Sequence, residues 1–348
     1  DEALFKLAVS YYNLNYPDSA KIYLNELVTK YPNSAKIGMT NYYLGEIDLA
    51  QSKYSSAKIY FDKALTGISD QGVIHLRLSY IEYLRKNYSS AKEILNNVPE
   101  DESYSFDKYL LKGNISFAEK NFNDAITAYK KAEKNSPDQV SLEHLWSRQA
   151  WTYYRLKQYD QATKLYKQLS EQSTAPGKYT LSAASAAYNA ENYSQSLELY
   201  QSYVKEFPDS KEYYKAQGGI ANSYFNLGNY KQAIDAWEKL IDPKFPPTII
   251  ENAIQGIQWS YQYLDQKREF SKWINEKVRK IDNANLKLTL METKIKFEYE
   301  QQDFRTSINS IQQLIRLFPE KKQDEKLQIM QANNYVWLKQ YEKADSIY

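Results

Sequence analysis

The side chains able to do chemistry in this chain are few in kind. It has two histidines, His75 and His144, and no cysteine among 348 residues. Without cysteine there can be no disulfide, no thiolate metal site and no thiol nucleophile, a composition that suits either the cytoplasm or an envelope compartment. Each histidine falls in the opening turns of a helical pattern with no acidic cluster beside it, the setting of a surface or groove residue rather than of a metal ligand or general base. No G-x-x-x-x-G-K or G-x-G-x-x-G motif is present. The pair Gly218-Gly219 lies inside a helical pattern, where it permits close packing or an open groove floor. Carboxylates alternate with lysines on solvated faces, as at Glu238-Lys239, and form no isolated pair. The expectation is therefore no enzyme, no metal and no cofactor.

Groups suited to binding are better represented. The chain holds 34 Tyr, 12 Phe and 6 Trp. Stacking of bases on such rings beside basic residues would serve nucleic acid, but most of the tyrosines fall on core positions of a repeat, where the ring packs and the hydroxyl reaches the edge. With 45 basic and 43 acidic residues the net charge is +2, so no global field favours nucleic acid or anionic lipid, and no nucleic-acid partner is expected. Lys272–Lys280 (KWINEKVRK) is the conspicuous basic stretch and reads as the solvated face of an amphipathic helix. Asn87-Tyr-Ser89, Asn114-Ile-Ser116 and Asn192-Tyr-Ser194 match the glycosylation triplet, a short and common pattern. No apolar run approaches the roughly 20 residues of a membrane span.

A repeated helical hairpin positions these groups. Gly219–Leu240 (GIANSYFNLGNYKQAIDAWEKL) displays the unit. Ala221, Tyr224 and Leu227 recur at helical spacing, Gly228-Asn229 breaks the helix, and Tyr230 to Ala233 opens a second one that continues through Trp237 and Leu240. The small residue of the second helix recurs at Ala20, Ala57, Ala91, Ala125, Ala162, Ser196 and Ala233, then less clearly at Trp273, then at Ser307 and Ala344. These positions are separated by 37, 34, 34, 37, 34, 37, 40, 34 and 37 residues. An aromatic stands three residues before each of the last nine, from Tyr54 to Tyr341. Twelve residues before the anchor lies another small residue in most copies: Ala8, Gly45, Ser79, Gly113, Ala150, Ala184, Ala221 and Ala332. Proline follows twelve residues after it at Pro32, Pro137, Pro208 and Pro319, because it cannot continue the helical hydrogen-bond ladder.

This grammar resembles the tetratricopeptide repeat (TPR), a 34-residue helical hairpin with small residues, an aromatic and a closing proline in the same order. The resemblance covers essentially the whole chain as nine units and a truncated tenth. It implies an all-α fold, a right-handed TPR superhelix (α-solenoid) of about nine to ten repeats. Leu24, Phe61, Tyr129, Tyr166, Tyr200 and Trp237, four residues after their anchors, are expected to cover the next repeat. Asp242–Thr248, with three prolines in five positions, is the strongest break. The expected organisation is 1–241 as repeats one to seven, and 242–348 as degenerate repeats eight and nine plus the truncated tenth. Tyr261, Trp273 and Ile295 stand there where small residues belong, so the curvature changes, two sub-arrays meet, or the repeat is simply degenerate. The pattern opens inside a helix at Asp1 and stops within a second helix, which reads as a piece of a longer protein whose ends can self-associate.

In TPR proteins the first helix of each pair lines the concave surface, and the family binds peptides there. The resemblance places Arg77 and Arg148 at the sixth groove position, Tyr80, Asn114, Trp151 and Asn222 at the ninth, and Tyr154, Arg155, Tyr188, Asn189 and Asn226 at the twelfth or thirteenth. Asparagine can bracket a peptide backbone and arginine can take a carboxylate bidentately. The lysine–asparagine–arginine clamp of chaperone-binding members is not reproduced. The endings Lys30-Tyr-Pro-Asn-Ser34 and Glu206-Phe-Pro-Asp-Ser210 are similar to those of bacterial envelope members, such as the Tol–Pal coordinator and outer-membrane assembly lipoproteins. The Lys-, Asn-, Tyr- and Ser-rich, Cys-free composition resembles long Bacteroidetes-type members. Those likenesses imply a periplasmic or outer-membrane-associated scaffold holding a protein or peptide partner. The alternative is a glycan- or peptidoglycan-binding module that uses groove aromatics; a third is an enzyme whose catalytic domain lies elsewhere.

Overall fold

The computed structural model describes residues 1–347, and among these the regular structure is helical throughout. The helices pair into ten hairpins. The first five are α1 (Glu2–Asn13) with α2 (Pro17–Lys30), α3 (Ile37–Ala50) with α4 (Tyr54–Ala64), α5 (Gln71–Leu84) with α6 (Tyr88–Leu95), α7 (Glu102–Ala118) with α8 (Phe122–Glu133), and α9 (Gln139–Arg155) with α10 (Tyr159–Gln172). The others are α11 (Pro176–Asn189) with α12 (Tyr193–Glu206), α13 (Tyr213–Asn226) with α14 (Tyr230–Glu238), α15 (Pro247–Tyr263) with α16 (Lys267–Lys280), α17 (Ala284–Glu300) with α18 (Phe304–Leu317), and α19 (Glu325–Trp337) with α20 (Tyr341–Asp345). The all-α solenoid read from the sequence is the observed architecture.

One turn geometry makes all ten hairpins. The second residue after each first helix takes a positive φ: Asn15, Ser52, Lys86, Lys120, Lys157, Glu191, Gly228, Asp265, Gln302 and Lys339. In the first turn the Asn15 N–H donates to the Tyr12 carbonyl and the Tyr16 N–H to the Tyr11 carbonyl, both at 2.9 Å, and the same pair of bonds recurs at the other nine. This left-handed closure satisfies carbonyls that the helix end would otherwise leave open. Nine of the ten positions carry a side chain there, at φ of 55° to 66° in eight and 63° in Asn15, against 76° at Gly228. A left-handed side-chain-bearing residue costs about 1–2 kcal/mol, so the turn persists because the packing on both sides holds it.

That packing is the small-residue contact. Five residues after the left-handed residue comes the anchor, and Ala20, Ala57, Ala91, Ala125, Ala162, Ser196, Ala233, Ser307 and Ala344 are buried. Their partners twelve residues earlier, from Ala8 to Ala332, are buried as well. The eighth repeat corrects the sequence reading. Its turn residue is Asp265, which makes Phe270 the anchor instead of Trp273. Lys267 stands where an aromatic opens most second helices, so the aromatic-x-x-small signature was met three residues late, at Phe270 and Trp273. Spacing from Gly228 through Asp265 and Gln302 to Lys339 is then a uniform 37 residues. Phe270 is wholly buried and stacks on Trp273 with ring centroids 5.7 Å apart.

Residues four after the anchor divide into two behaviours. Phe61 and Tyr129 turn back on their own first helix, where a Cβ on Gly45 or Gly113 would meet their rings at 2.8 and 2.4 Å. Tyr200 and Trp237 reach forward to the next hairpin as expected, onto Gly219 and Gly256. The extra three residues of the longer repeats fall outside the invariant turn, at helix ends or in the connections between hairpins.

The hairpins group into two compact units, residues 1–173 and those from Thr174 onward. In the first unit, lysine following the anchor bridges to a carboxylate on the next first helix or its end: Lys21 to Asp48, Lys58 to Glu82 at 2.7 Å, and Lys92 to Glu119 at 2.7 Å. In the second unit a single apolar cluster runs from Ile220 to Leu314. It includes both sides of the proline-rich stretch 242–248, which thus lies within this unit. Pro247 is the first residue of α15, where a missing N–H removes no hydrogen bond.

Two outcomes test this packing. Gly228→Ala meets no atom within 4 Å but forces a side chain into φ 76°, and should lower unfolding free energy by about 1 kcal/mol; an unchanged denaturation midpoint would contradict the turn. Glu82 is 2% exposed. Burial alone would raise its carboxyl, yet hydrogen bonds from Lys58 and Asn87 hold it below the ordinary carboxylate value. A depressed folded pKa stabilises above the unfolded pKa and loses that contribution as pH falls through the folded one. Glu82→Gln should therefore cost about 1–2 kcal/mol at pH 7, and the difference from wild type should shrink as the pH falls below the ordinary carboxylate range and through the lowered folded value, as followed by thermal melts across pH.

Candidate partner-binding face

The expected groove residues lie on first helices, in two groups. In the first unit, α5, α7 and α9 carry Arg77, Tyr80, Asn114, Arg148, Trp151, Tyr154 and Arg155. Arg77 is half-buried, and its Nε donates to Glu46 at 2.6 Å. Tyr80 is exposed and stacks on Tyr83, with centroids 6.2 Å apart. The Asn114 carbonyl accepts from the Tyr129 hydroxyl at 2.9 Å. Burial raises the phenols of Tyr83 and Tyr129, against the opposing charge of Arg148. One helical turn on, Trp151 is 43% exposed and stacks face to face on Tyr154 at 5.4 Å. The Arg155 guanidinium lies 5.1 Å from the Phe122 ring and 5.9 Å from Trp151. This is an aromatic and cationic surface of the kind that anchors protein partners.

In the second unit, Tyr188, Asn222 and Asn226 converge on a cleft of about 650 Å³. Asn226 Nδ2 donates to the Tyr188 hydroxyl at 2.8 Å and to the Asn222 carbonyl at 2.9 Å. Burial raises the Tyr188 phenol. Asn189 is different: its amide donates to the Ser185 carbonyl at 2.7 Å, along its own helix, and it does not line the cleft.

Sequence reasoning missed most of the cleft wall: Tyr200, Tyr214, Phe225, Trp237, Asn252, Gln255 and Trp259. With Phe270 as anchor, Trp259 takes the ninth groove position, in series with Tyr80, Asn114, Trp151 and Asn222. The misplaced eighth repeat concealed it. The sixth position, Arg77 and Arg148 in the first unit, is Gly219 and Gly256 in the second. A Cβ on Gly219 would come within 2.3 Å of the Tyr200 ring, and one on Gly256 within 2.4 Å of Trp237. Glycine there lets these rings slide under the helix and form the cleft wall. Trp237 is 7% exposed, and among the described residues its indole N–H has no acceptor. A Cβ on Gly218 would make only ordinary contacts, with Leu240 and Trp237 at 3.9 Å. A polar hollow of about 450 Å³ adjoins the cleft through Asn252, Gln255 and Trp259 and continues to Glu251, Gln258, Thr289 and Glu292.

Other chemistry is sparse. Among the described residues no group of three His, Asp or Glu side chains is placed to hold a metal, and no helix is long and apolar enough to cross a membrane. His75 is half-buried and His144 exposed. In the basic stretch of α16, Lys272 pairs with Glu269 at 2.7 Å and Lys277 with Glu238 at 3.3 Å, so part of its charge is neutralised. The two neighbouring glycines separate cleft from packing. Gly219→Ala should displace Tyr200 and cost about 1–3 kcal/mol, whereas Gly218→Ala should be neutral or stabilising by up to about 1 kcal/mol. Equal melting shifts for the two would refute the geometry.

Comparison with known proteins agrees with the hairpin geometry. Residues 13–145 match the family model described as a tetratricopeptide repeat-like domain, and residues 147–211 and 181–247 match one described as a tetratricopeptide repeat. No curated protein shows significant similarity to the sequence. Among solved structures, the C-terminal part of a TPR repeat-containing protein from Cytophaga hutchinsonii aligns with a TM-score of 0.60 at 18% identity, over 73% of this chain and 99% of that one. PilW, described as a widely conserved type IV pilus biogenesis factor, aligns with a TM-score of 0.51 at 18% identity, over 62% and 96%. PilF of Pseudomonas aeruginosa aligns with a TM-score of 0.49 at 19% identity, over the same shares of the two chains. At such identities the likeness is one of fold. With ten hairpins closed by one turn, and family models on successive stretches of them, the chain belongs to the tetratricopeptide-repeat family.

Proposed function

We propose that this protein is a non-enzymatic scaffold that holds a partner polypeptide against the faces formed by its first helices. The observation that carries this reading is the cleft of about 650 Å³ in the second unit. Its wall is aromatic, its floor opens at Gly218, and Asn222, Asn226, Asn252 and Gln255 bring amides to it. The one charged lining residue is Lys215, which pairs with Glu212. Such a site suits an uncharged apolar side chain from an extended segment, whose backbone the amides bracket. The setting we propose is a bacterial envelope assembly, periplasmic or at the outer membrane. The Tyr/Phe-Pro-x-Ser endings support it, and PilW, which shares the fold, is described as a pilus biogenesis factor.

A glycan reading has one observation in its favour. Trp259, 46% exposed, stands beside the polar hollow with its carboxylates and amides. Both readings meet the same test. Gly218→Leu fills the cleft from a position where a Cβ meets only ordinary contacts, and should leave the melting temperature unchanged or raised. In affinity capture from a bacterial envelope extract, the variant should retain at least tenfold less of the partner held by wild type. Equal capture by both forms would remove the cleft from the binding account. Retention of peptidoglycan fragments by wild type, lost in Trp259→Ala, would favour the glycan reading instead.

A further inference from the structure

We propose that the ninth hairpin, α17 with α18, is a pH-sensitive element of the scaffold, held firm while the Glu298 carboxyl carries its proton and opening more readily once it ionises. The proposal stands apart from the reading of the cleft, because it concerns how one hairpin is held and not what is bound. It starts from one position in the repeat. Asp48, Glu82 and Glu298 each stand four residues before the left-handed turn residue, and they are 1%, 2% and 3% exposed.

The first unit supplies partners for its two carboxylates. Lys21, the residue after the preceding anchor, pairs with Asp48, and the Ser56 hydroxyl donates to it. Lys58, again the residue after an anchor, pairs with Glu82 at 2.7 Å, and the Asn87 amide donates to it at 2.7 Å. At Glu298 both kinds of partner are replaced. The residue after the preceding anchor, Phe270, is Ser271, at the same 27-residue separation as Lys21 from Asp48. Asp303 occupies the place of Asn87, and its carboxylate caps α18 by accepting from the Thr306 N–H at 3.3 Å. What remains is Lys294, one turn back on the same helix and itself 8% exposed, with its Nζ 3.7 Å from Oε1. Oε2 has no hydrogen-bond partner among the described residues.

The neighbouring elements bring no further charge. The buried faces of α15, α16 and α18 present apolar side chains, Gly256 and serines. That of α19 presents Ala332 and Asn334, whose amide donates to Ser307 at 3.0 Å. The charged groups acting on Glu298 are therefore Lys294 and Asp303, of opposite sign. Burial raises the Glu298 carboxyl above its ordinary value and Asp303 adds to the rise, while the Ser310 hydroxyl and Lys294 work against it. An ionised carboxylate buried beside one loosely placed lysine is strongly disfavoured, whereas the neutral acid is not. Glu82, with its donors in place at the same position, is held in the opposite direction. The folded hairpin thus binds the Glu298 proton more tightly than the unfolded chain does. That contribution is fully present below the unfolded pKa and is lost as the pH rises through the folded one. Because α17 also carries Thr289, Glu292 and Thr293 of the polar hollow, a looser ninth hairpin leaves that wall less defined as the medium becomes less acid.

The test is native-state hydrogen exchange on the full chain, read by mass spectrometry at about pH 5 and about pH 9 and corrected for the intrinsic exchange rate. Peptides from α17 and α18 are compared with peptides from α5 and α6, where the lowered Glu82 carboxyl stays ionised over that range. In wild type, opening of α17 and α18 should increase at least about threefold relative to the reference between the two conditions, and in Glu298→Gln it should not increase. Ser271→Lys keeps the carboxyl and restores the lysine used in the first unit, and should cut the increase by at least about half. An unchanged wild-type ratio, or an increase that persists in Glu298→Gln, would overturn the proposal. So would an increase undiminished in Ser271→Lys, a variant that tests the claim even if Glu298→Gln does not fold.

Discussion

Everything in this molecule depends on a tight turn that reverses the chain between two helices through one left-handed residue. The two backbone bonds of that turn fix where the second helix starts, and hence place the anchor five residues on and its partner twelve residues earlier. Because both are small, the helices approach closely, and the residue one turn beyond the anchor must find room elsewhere. It either folds back on its own hairpin, as Phe61 and Tyr129 do, or enters the next one, as Tyr200 and Trp237 do. Most of the turns spend conformational energy on a side chain at positive φ, so the burial of the anchors is what keeps the chain in this shape.

The same constraint explains how one scaffold presents two surfaces. The position fourteen residues before the anchor lies on the first helix in every repeat, and its residue type varies along the chain. Arginine there, at Arg77 and Arg148, gives the first unit cationic groups set among tyrosines. Glycine there, at Gly219 and Gly256, lets the aromatic of the preceding hairpin pass beneath the helix and opens an apolar cleft in the second unit. Charge and cavity are alternative uses of one site in the repeat. Binding chemistry is thus chosen by single residues without altering the packing that holds the hairpins together.

Much of this was legible in the sequence, for a physical reason: the anchors and their partners tolerate few residue types, so they repeat visibly. The left-handed turns were not legible as a series, because only Asn15, Gly228 and Asp265 among them carry residue types that favour such a conformation. The eighth repeat was read three residues late because Lys267 replaces the opening aromatic and Phe270 replaces the small anchor. That slip hid Trp259, which the corrected register places directly in the groove series. Asn189 was assigned to the groove by position, yet its amide satisfies the Ser185 carbonyl. The cleft itself depends on which way Tyr200 and Trp237 turn, and that is settled by the absence of a Cβ on the glycines they meet.

The central claim is that first-helix faces are the binding surface, and the lack of cysteine allows a direct measurement. Single cysteines carrying a photocrosslinker would be placed at Asn222→Cys and Tyr80→Cys on first helices, and at Ile59→Cys and Gln232→Cys on second helices, then irradiated with the partner bound. The account expects adducts from positions 222 and 80 at several times the yield from 59 and 232. Equal yields, or adducts chiefly from the second-helix positions, would contradict it.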